Sequence, residues 1–428
     1  MKLLVRRLGR RPVRGSRRIA AAFTSWAVLG LAAAGPAAIG APAPRLEVID
    51  VPSAKGNVDL AVTRLNGAAD RLQMTVMLPA GYDDEPQRRW PVLYLLHGVD
   101  DGHSTWADHR FGDISARAAG LGAIIVMPEG GRGYFTDQWL GGKRRGGNWE
   151  RYFLEEVIPA AEARYRIAPG RENHAIAGNS MGAYGAMILA AQLPSYFGSA
   201  VAQSGLFDLG EWTSRNVVPF FSKFSFTRQW GPPGGPYMQA HNPIRLTTNL
   251  QRTRLLVSTG TGATDARRPF DIMHATAGAA IEVSSWWQSH RFVAAARRNG
   301  VPAKLSVWTG VHDWVYWRRD LDRVFRWGLF GTDVTGVHGG ATRFTYRTMA
   351  PAGNAWGLGF RFSALPTQAL QLQRAGDVIS ATGRGTLTIT PGAAADDATG
   401  AGTRPDCAFT AELPFEYRLP AGCGATTP

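Results

Sequence analysis

The sharpest chemical signal in the chain is Gly178-Asn179-Ser180-Met181-Gly182. It follows the apolar run His174–Ala177 and precedes a helical run, Ala183–Gln192. G-x-S-x-G between a strand and a helix is the pattern of a nucleophile elbow, a tight turn that lifts the serine oxygen above the sheet. The glycines leave room for crowded backbone, and the following helix aims its positive end at the charge that would develop. A serine hydroxyl needs a base, and the chain order of such hydrolases is nucleophile, acid, histidine. Of nine histidines, His312 is the one in a loop just past a late apolar run, Lys304–Trp308. It is the expected base. The acid is expected after the preceding run, Leu255–Ser258, where Asp265 lies in the loop Gly260–Asp265, with Asp271 and Glu282 as rivals. It would hold the imidazole tautomer and stabilise the imidazolium. The oxyanion hole is expected from the backbone N–H groups of Met181 and Val99, the latter in the loop His97-Gly98-Val99-Asp100.

Other chemistries find less support. His97, Asp100, Asp101, His103, Asp108 and His109 crowd together, but histidines six apart fit no helical zinc pair, and H-E-x-x-H is absent. The cluster reads as a polar rim, with His97 and Asp100 as candidate substrate contacts, and no metal or cofactor is expected. Gly130–Gly133 and Gly260–Gly262 match neither phosphate-binding glycine pattern. The two cysteines, Cys407 and Cys423, lie near the C-terminus and are expected to form a disulfide rather than a nucleophile. Trp286, Trp287, Trp314 and Trp317 flank the histidine loop. Much of this cluster reads as core; rings exposed beside the site, Trp314 among them, would instead line a groove for an acyl chain or sugar.

The elements that must position these groups alternate buried-strand runs with helical stretches from about residue 45 to 330, which argues for an α/β domain with a mainly parallel sheet. The strand runs are Pro91–Leu96, Ala123–Met127, His174–Ala177, Leu255–Ser258 and Lys304–Trp308, continuous rather than alternating, as strands covered on both faces are. Leu46–Val51 and Met74–Leu78 are candidate antiparallel strands, and a helix is expected from Ile281 to Asn299. After Gly328 the texture changes to short alternating segments, including Arg343–Thr348, Gly357–Phe362 and Gly385–Thr390, with Gly392–Arg404 as a loop. The expected division is an export signal over 1–41, a catalytic domain over 42–330 and a small β-rich domain over 335–428.

The net charge of +14 is misleading as a sign of nucleic-acid binding. Residues 1–18 hold eight of the 47 basic residues and 1–41 hold no acid, so the remainder carries 39 against 33, or +6, with no Lys/Arg tract to follow phosphates. Those basic residues precede an apolar run, Ile19–Ala34, and a small-residue cleavage pattern near Ala38–Ala41, the layout of an export signal for the Sec or twin-arginine route. The protein is expected to be secreted or held at the cell envelope.

At these residues the chain resembles the antigen 85 mycolyltransferase family, in the esterase D-like branch of the α/β-hydrolases. The resemblance runs over roughly 45–330, through Tyr94-Leu95-Leu96, Val126-Met127-Pro128 with Gly130-Gly131, Trp139, Trp149-Glu150 and Ser180-Met181. It continues through Trp230-Gly231-Pro232 and Asn242-Pro243 to His312-x-Trp314-x-Tyr316-Trp317. It implies an α/β-hydrolase fold and an exported enzyme that passes an acyl group through a serine ester, with Ser180, an acid and His312 as the triad. Asp265 stands where the family usually has glutamate. At the oxyanion loop the family looks like Leu-Asp-Gly-Leu-Arg, whereas this chain reads Leu96-His97-Gly98-Val99-Asp100. That reversal of charge points away from trehalose and mycolate and towards the general esterases of the branch. The expected function is thus an exported serine esterase or acyltransferase acting on lipid or glycolipid esters. The alternatives are a trehalose mycolyltransferase or diacylglycerol acyltransferase of the envelope, using a sugar acceptor, and a non-catalytic wall- or matrix-binding protein on the same fold.

Overall fold

The computed structural model describes residues 43–59, 72–139, 147–222, 225–264, 272–331, 341–392 and 405–423; the export segment expected over 1–41 and the loop over 393–404 lie outside them. Residues 42–428 form one compact unit. Its centre is an eight-stranded sheet: β1 (Arg45–Asp50), β2 (Gln73–Leu78), β3 (Val92–Leu96), β4 (Ile124–Pro128), β5 (His174–Asn179), β6 (Ser199–Gln203), β7 (Arg254–Gly260) and β8 (Ala303–Trp308). The spatial order is β1-β2-β4-β3-β5-β6-β7-β8. The strands from β4 to β8 run parallel, and β1 and β2 are antiparallel additions at one edge.

The central strands are apolar throughout because both faces are covered. In β3, Val92, Tyr94 and Leu96 pack into one core while Leu93 and Leu95 pack into the other, as the two-residue period of a strand requires. The helix Met181–Gln192, buried along its whole length, fills the first core. The second is closed by the amphipathic helix Trp314–Trp327, which buries Tyr316, Trp317, Leu321 and Val324. Each of these two helices therefore starts beside a predicted catalytic residue, Ser180 or His312. β6, sequence Ser-Ala-Val-Ala-Gln, was not anticipated: small and polar residues hide it, yet it is fully buried and pairs β5 with β7. The helix expected from Ile281 starts earlier, and runs Ile272–Arg298.

The C-terminal segment forms two four-stranded antiparallel sheets around a separate core. One sheet holds β9 (Arg343–Thr348), β12 (Leu370–Ala375), β13 (Val378–Thr382) and β16 (Phe415–Arg418); the other holds β10 (Ala352–Ala355), β11 (Leu358–Phe362), β14 (Thr386–Pro391) and β15 (Phe409–Glu412). Cys407 and Cys423 are joined by a disulfide. The sandwich docks on the end of the Met181–Gln192 helix remote from Ser180. Tyr346 donates to the Gln192 carbonyl, Thr348 donates to the Gln192 side chain, and Asn249 donates to the Arg347 carbonyl. At 1.5 Å per residue, that helix puts about 18 Å between this contact and the nucleophile.

Candidate active site

Ser180 occupies the turn between β5 and the Met181–Gln192 helix with φ 53° and ψ −114°, a left-handed conformation that costs an L-residue energy. The flanking glycines explain how the chain tolerates it. A Cβ on Gly182 would lie 2.4 Å from the Leu96 carbonyl oxygen, and one on Gly178 2.5 Å from the Gly182 backbone, where no flexible side chain can yield. The Ser180 N–H is anchored to the Gln203 carbonyl of β6 at 2.8 Å, so the unanticipated strand helps hold the elbow.

His312 arrives from the loop after β8. Its Nε2 lies 2.8 Å from Ser180 Oγ and its Nδ1 lies 2.8 Å from a carboxylate oxygen, Oε2 of Glu282. The carboxylate at the imidazole is therefore Glu282, one of the rivals to Asp265; Asp265 and Asp271 lie outside the described residues. Glu282 comes from the third turn of the Ile272–Arg298 helix and is fully buried. Its other oxygen, Oε1, accepts from Ser204 Oγ at 2.7 Å, Thr259 Oγ1 at 3.0 Å and the Gly260 N–H at 2.5 Å. The same helix accepts the His312 N–H on the Gly278 carbonyl at 3.1 Å, which fixes the histidine loop to the acid's own backbone. Trp317 packs edge-on against the imidazole at 4.8 Å and donates its indole N–H to Ser204 Oγ. Sequence reasoning weighed Glu282 only as a rival, because it looked for an acid in a loop. Ser204 and Trp317 as supports of that acid carry no local signal.

Gly98 of the oxyanion loop lies directly against the elbow: a Cβ there would be 3.7 Å from Ser180 Cβ. Val99 follows it in the loop after β3, and Met181 opens the helix, where N–H groups have no partner within the helix. Among the described residues, neither N–H is engaged by a turn or loop carbonyl.

The three predicted substrate contacts fall in different places. His97 is only 1% exposed and lies beneath the loop, its Nδ1 2.7 Å from the Gly98 carbonyl. It shapes the loop from below and is not open to a bound substrate, contrary to expectation. Asp100 stands at the rim with φ 67°, ion-paired to Arg132, a guanidinium the sequence reading did not single out. Trp314 packs edge-on against Trp106 at 4.7 Å and donates its indole N–H to Asp101. It clamps the oxyanion loop to the histidine loop. Burial pushes the Asp101 carboxyl up to about 6, against the pull of His97 and the Trp314 N–H. Asn179, inside the elbow, is fully buried.

The family model for esterases matches residues 66–327. An esterase of Mycobacterium tuberculosis is 36% identical over 138 residues, which cover 31% of this chain and 28% of that protein, so the chain spans little more than a quarter of this curated relative. The diacylglycerol acyltransferase/mycolyltransferase Ag85A of Mycobacterium tuberculosis is 27% identical over 313 residues, 69% of this chain and 83% of that one. Among solved structures, Mycobacterium tuberculosis MPT51 superposes with a TM-score of 0.52 at 22% identity, covering 67% of this chain and 99% of that chain. A fluorophosphonate-binding serine hydrolase of Staphylococcus aureus superposes with a TM-score of 0.51 at 18% identity, covering 68% and 100%. These structural likenesses establish the α/β-hydrolase fold.

Proposed function

Since the chain belongs to the esterase family, we propose that it is an exported serine esterase or acyltransferase working through an acyl-Ser180 intermediate. The observation that carries this reading is the unbroken relay Ser180 Oγ, His312 Nε2, His312 Nδ1, Glu282 Oε2, with 2.8 Å at both hydrogen bonds. His312 takes the Ser180 proton as Oγ attacks the ester carbonyl carbon. The oxyanion is received by the Val99 and Met181 N–H groups. When the tetrahedral species collapses, the ester C–O bond breaks and His312 returns the proton to the leaving alcohol. Water or an alcohol then attacks the acyl-serine with His312 again as base, the acyl–Oγ bond breaks, and His312 returns the proton to Ser180 Oγ. Glu282 holds the Nδ1–H tautomer and stabilises the imidazolium, while its three further donors keep it oriented.

Water and an acceptor alcohol use the same relay, so transfer is the second reading. It is favoured by the 27% identity to Ag85A over 83% of that protein. The acceptor would be a hydroxyl of a sugar or glycerolipid at the envelope. Against a trehalose-specific version stands the oxyanion loop, where His97 is sealed below the surface and Asp100 meets Arg132.

The test is covalent. Incubation with a fluorophosphonate probe should add its mass at Ser180, and Ser180→Ala should lose both the adduct and roughly 10⁶-fold in turnover of an aryl ester. A folded Ser180→Ala variant with parental activity would end the serine mechanism.

A further inference from the structure

One buried carboxylate in the site is not used by this mechanism. Glu129 follows Pro128 at the end of β4 and is 5% exposed. β3 and β4 are adjacent and parallel, so the loops that leave them, 97–103 and 129–135, run side by side at the nucleophile. Glu129 joins the two. Its Oε1 accepts the Gly130 N–H at 3.1 Å and the Gly131 N–H at 2.7 Å; its Oε2 accepts the His103 N–H at 3.3 Å. It also lies 3.5 Å from His97 Nε2, which accepts the Gly130 N–H at 3.0 Å while Nδ1 reaches the Gly98 carbonyl. The carboxylate thus holds the 103 end of the segment 97–103 directly and borders its 97 end through the His97 ring and the Gly130 N–H that the two share; this is the segment that carries Val99.

Those loops need a grip. Asp100 and Gly131, and then Tyr134 and Phe135, all have φ between 50° and 67°, and a run of left-handed residues persists only where its surroundings hold it. On the solvent side the Asp100–Arg132 pair also ties the two loops, but the Asp100 side chain is 52% exposed and such pairs contribute little in water. The buried tie dominates. Burial works against the Glu129 charge, yet the His97 ring and the N–H groups of Gly131 and His103 outweigh it and hold the carboxyl below its ordinary range.

We propose that Glu129 is a positioning residue that sets the Val99 N–H as an oxyanion donor by locking the 97–103 and 129–135 loops together. The proposal rests on the serine-esterase reading above. The side-chain amide introduced by Glu129→Gln can accept on one side only, and its NH₂ must face either the Gly131 or the His103 N–H, donor against donor. One loop is released, and the donor it carries loses its aim. Since the oxyanion exists only after attack, the loss falls on the transition state and not on substrate binding.

The experiment measures kcat and KM of Glu129→Gln and Glu129→Asp on an aryl ester, with active sites counted by fluorophosphonate titration so that misfolded protein drops out. The expected result is a kcat per titrated site lowered about 10²-fold in Glu129→Gln, the scale of a lost oxyanion donor, with KM within about threefold. Glu129→Asp, which keeps the charge but shortens its reach, should fall between Glu129→Gln and the parent. A role in stability alone would reduce the number of titratable sites and leave kcat per site at the parental value. That result, in either variant, overturns the proposal. Ser180→Ala is run beside them: if it keeps activity, the esterase reading fails as a whole, whereas an inactive Ser180→Ala with a parental Glu129→Gln removes only the positioning role.

Discussion

Glu282→Gln is the most discriminating perturbation of the relay, because its outcome is fixed by which way the new amide must turn. Glu282 Oε1 accepts from three donors, and one of them, the Gly260 N–H, cannot reverse its direction. A glutamine therefore keeps its oxygen on that side, since the opposite orientation would set NH₂ against a buried N–H and cost about 1–3 kcal/mol. Its NH₂ then faces His312 Nδ1, where Glu282 Oε2 now accepts at 2.8 Å. The imidazole must offer a lone pair there, so its proton moves to Nε2, the nitrogen that has to receive the Ser180 proton. The relay is intact in shape and reversed in tautomer. Replacing the acid of a Ser-His-acid triad by its amide costs about 10⁴ in kcat, or about 5.5 kcal/mol of barrier at about 1.4 kcal/mol per factor of ten. The assay is initial-rate hydrolysis of an aryl ester, normalised to protein with an unchanged thermal transition. Asp265→Asn, in the same assay, should stay at the parental rate. A folded Glu282→Gln variant within tenfold of the parent, with a large loss in Asp265→Asn, would show that the acid is not the one at the imidazole here.

Two further outcomes follow from other parts of the molecule. Reduction of Cys407–Cys423, which are 16 residues apart, should destabilise the C-terminal sandwich by about 3 kcal/mol. Because the sandwich docks at the far end of the elbow helix, the ester hydrolysis rate at 25 °C should be unchanged; thermal melts and rates with and without reductant check both. At Asp101 the carboxyl is raised from 3.8 to about 6, so the folded state binds its proton more tightly than the unfolded chain does, and stability is lost as pH rises through that window. Asp101→Asn keeps an oxygen for the Trp314 N–H and removes the buried charge. Its stability relative to the parent should therefore increase between pH 4 and pH 7, by at most about 3 kcal/mol, in urea unfolding at the two pH values.

The parts of the site that were legible in the sequence are those whose constraint is local. Gly178 and Gly182 are required by backbone contacts within the elbow itself, so G-x-S-x-G announces its geometry. His312 is fixed by its place after the last parallel strand. The acid is another matter. Glu282 sits in a 27-residue helix and in sequence looks like any helical glutamate; what makes it the acid is that β7, β6 and the helix bring Gly260, Ser204 and Glu282 together. His97 shows the opposite error: a polar residue beside the oxyanion loop suggests a substrate contact until the Glu129 side chain is seen beneath it. β6 was illegible because its burial comes from its neighbours and not from its own hydrophobicity.

Among the described residues the site region contains three histidines each facing a buried glutamate, and the acid partner does not tell them apart. Glu129 meets His97 Nε2, Glu150 meets His241 Nε2 at 3.1 Å, and Glu282 meets His312 Nδ1. The second nitrogen separates them. In His97 and His241 it faces a backbone carbonyl, of Gly98 at 2.7 Å and of Tyr237 at 2.9 Å. Both rings are almost fully buried and both are held above the ordinary histidine value: burial opposes their charge, but the partner carboxylate outweighs it. A backbone carbonyl has no proton to give, so these pairs can only fix loops. His312 alone turns its second nitrogen to a hydroxyl, and with an 11% exposed side chain it alone borders the surface from which an ester can arrive. In the proposed mechanism, base catalysis by His312 is therefore a matter of where Nε2 points. One helix serves that direction twice, through the Gly278 carbonyl that accepts the His312 backbone N–H and through Glu282 at Nδ1.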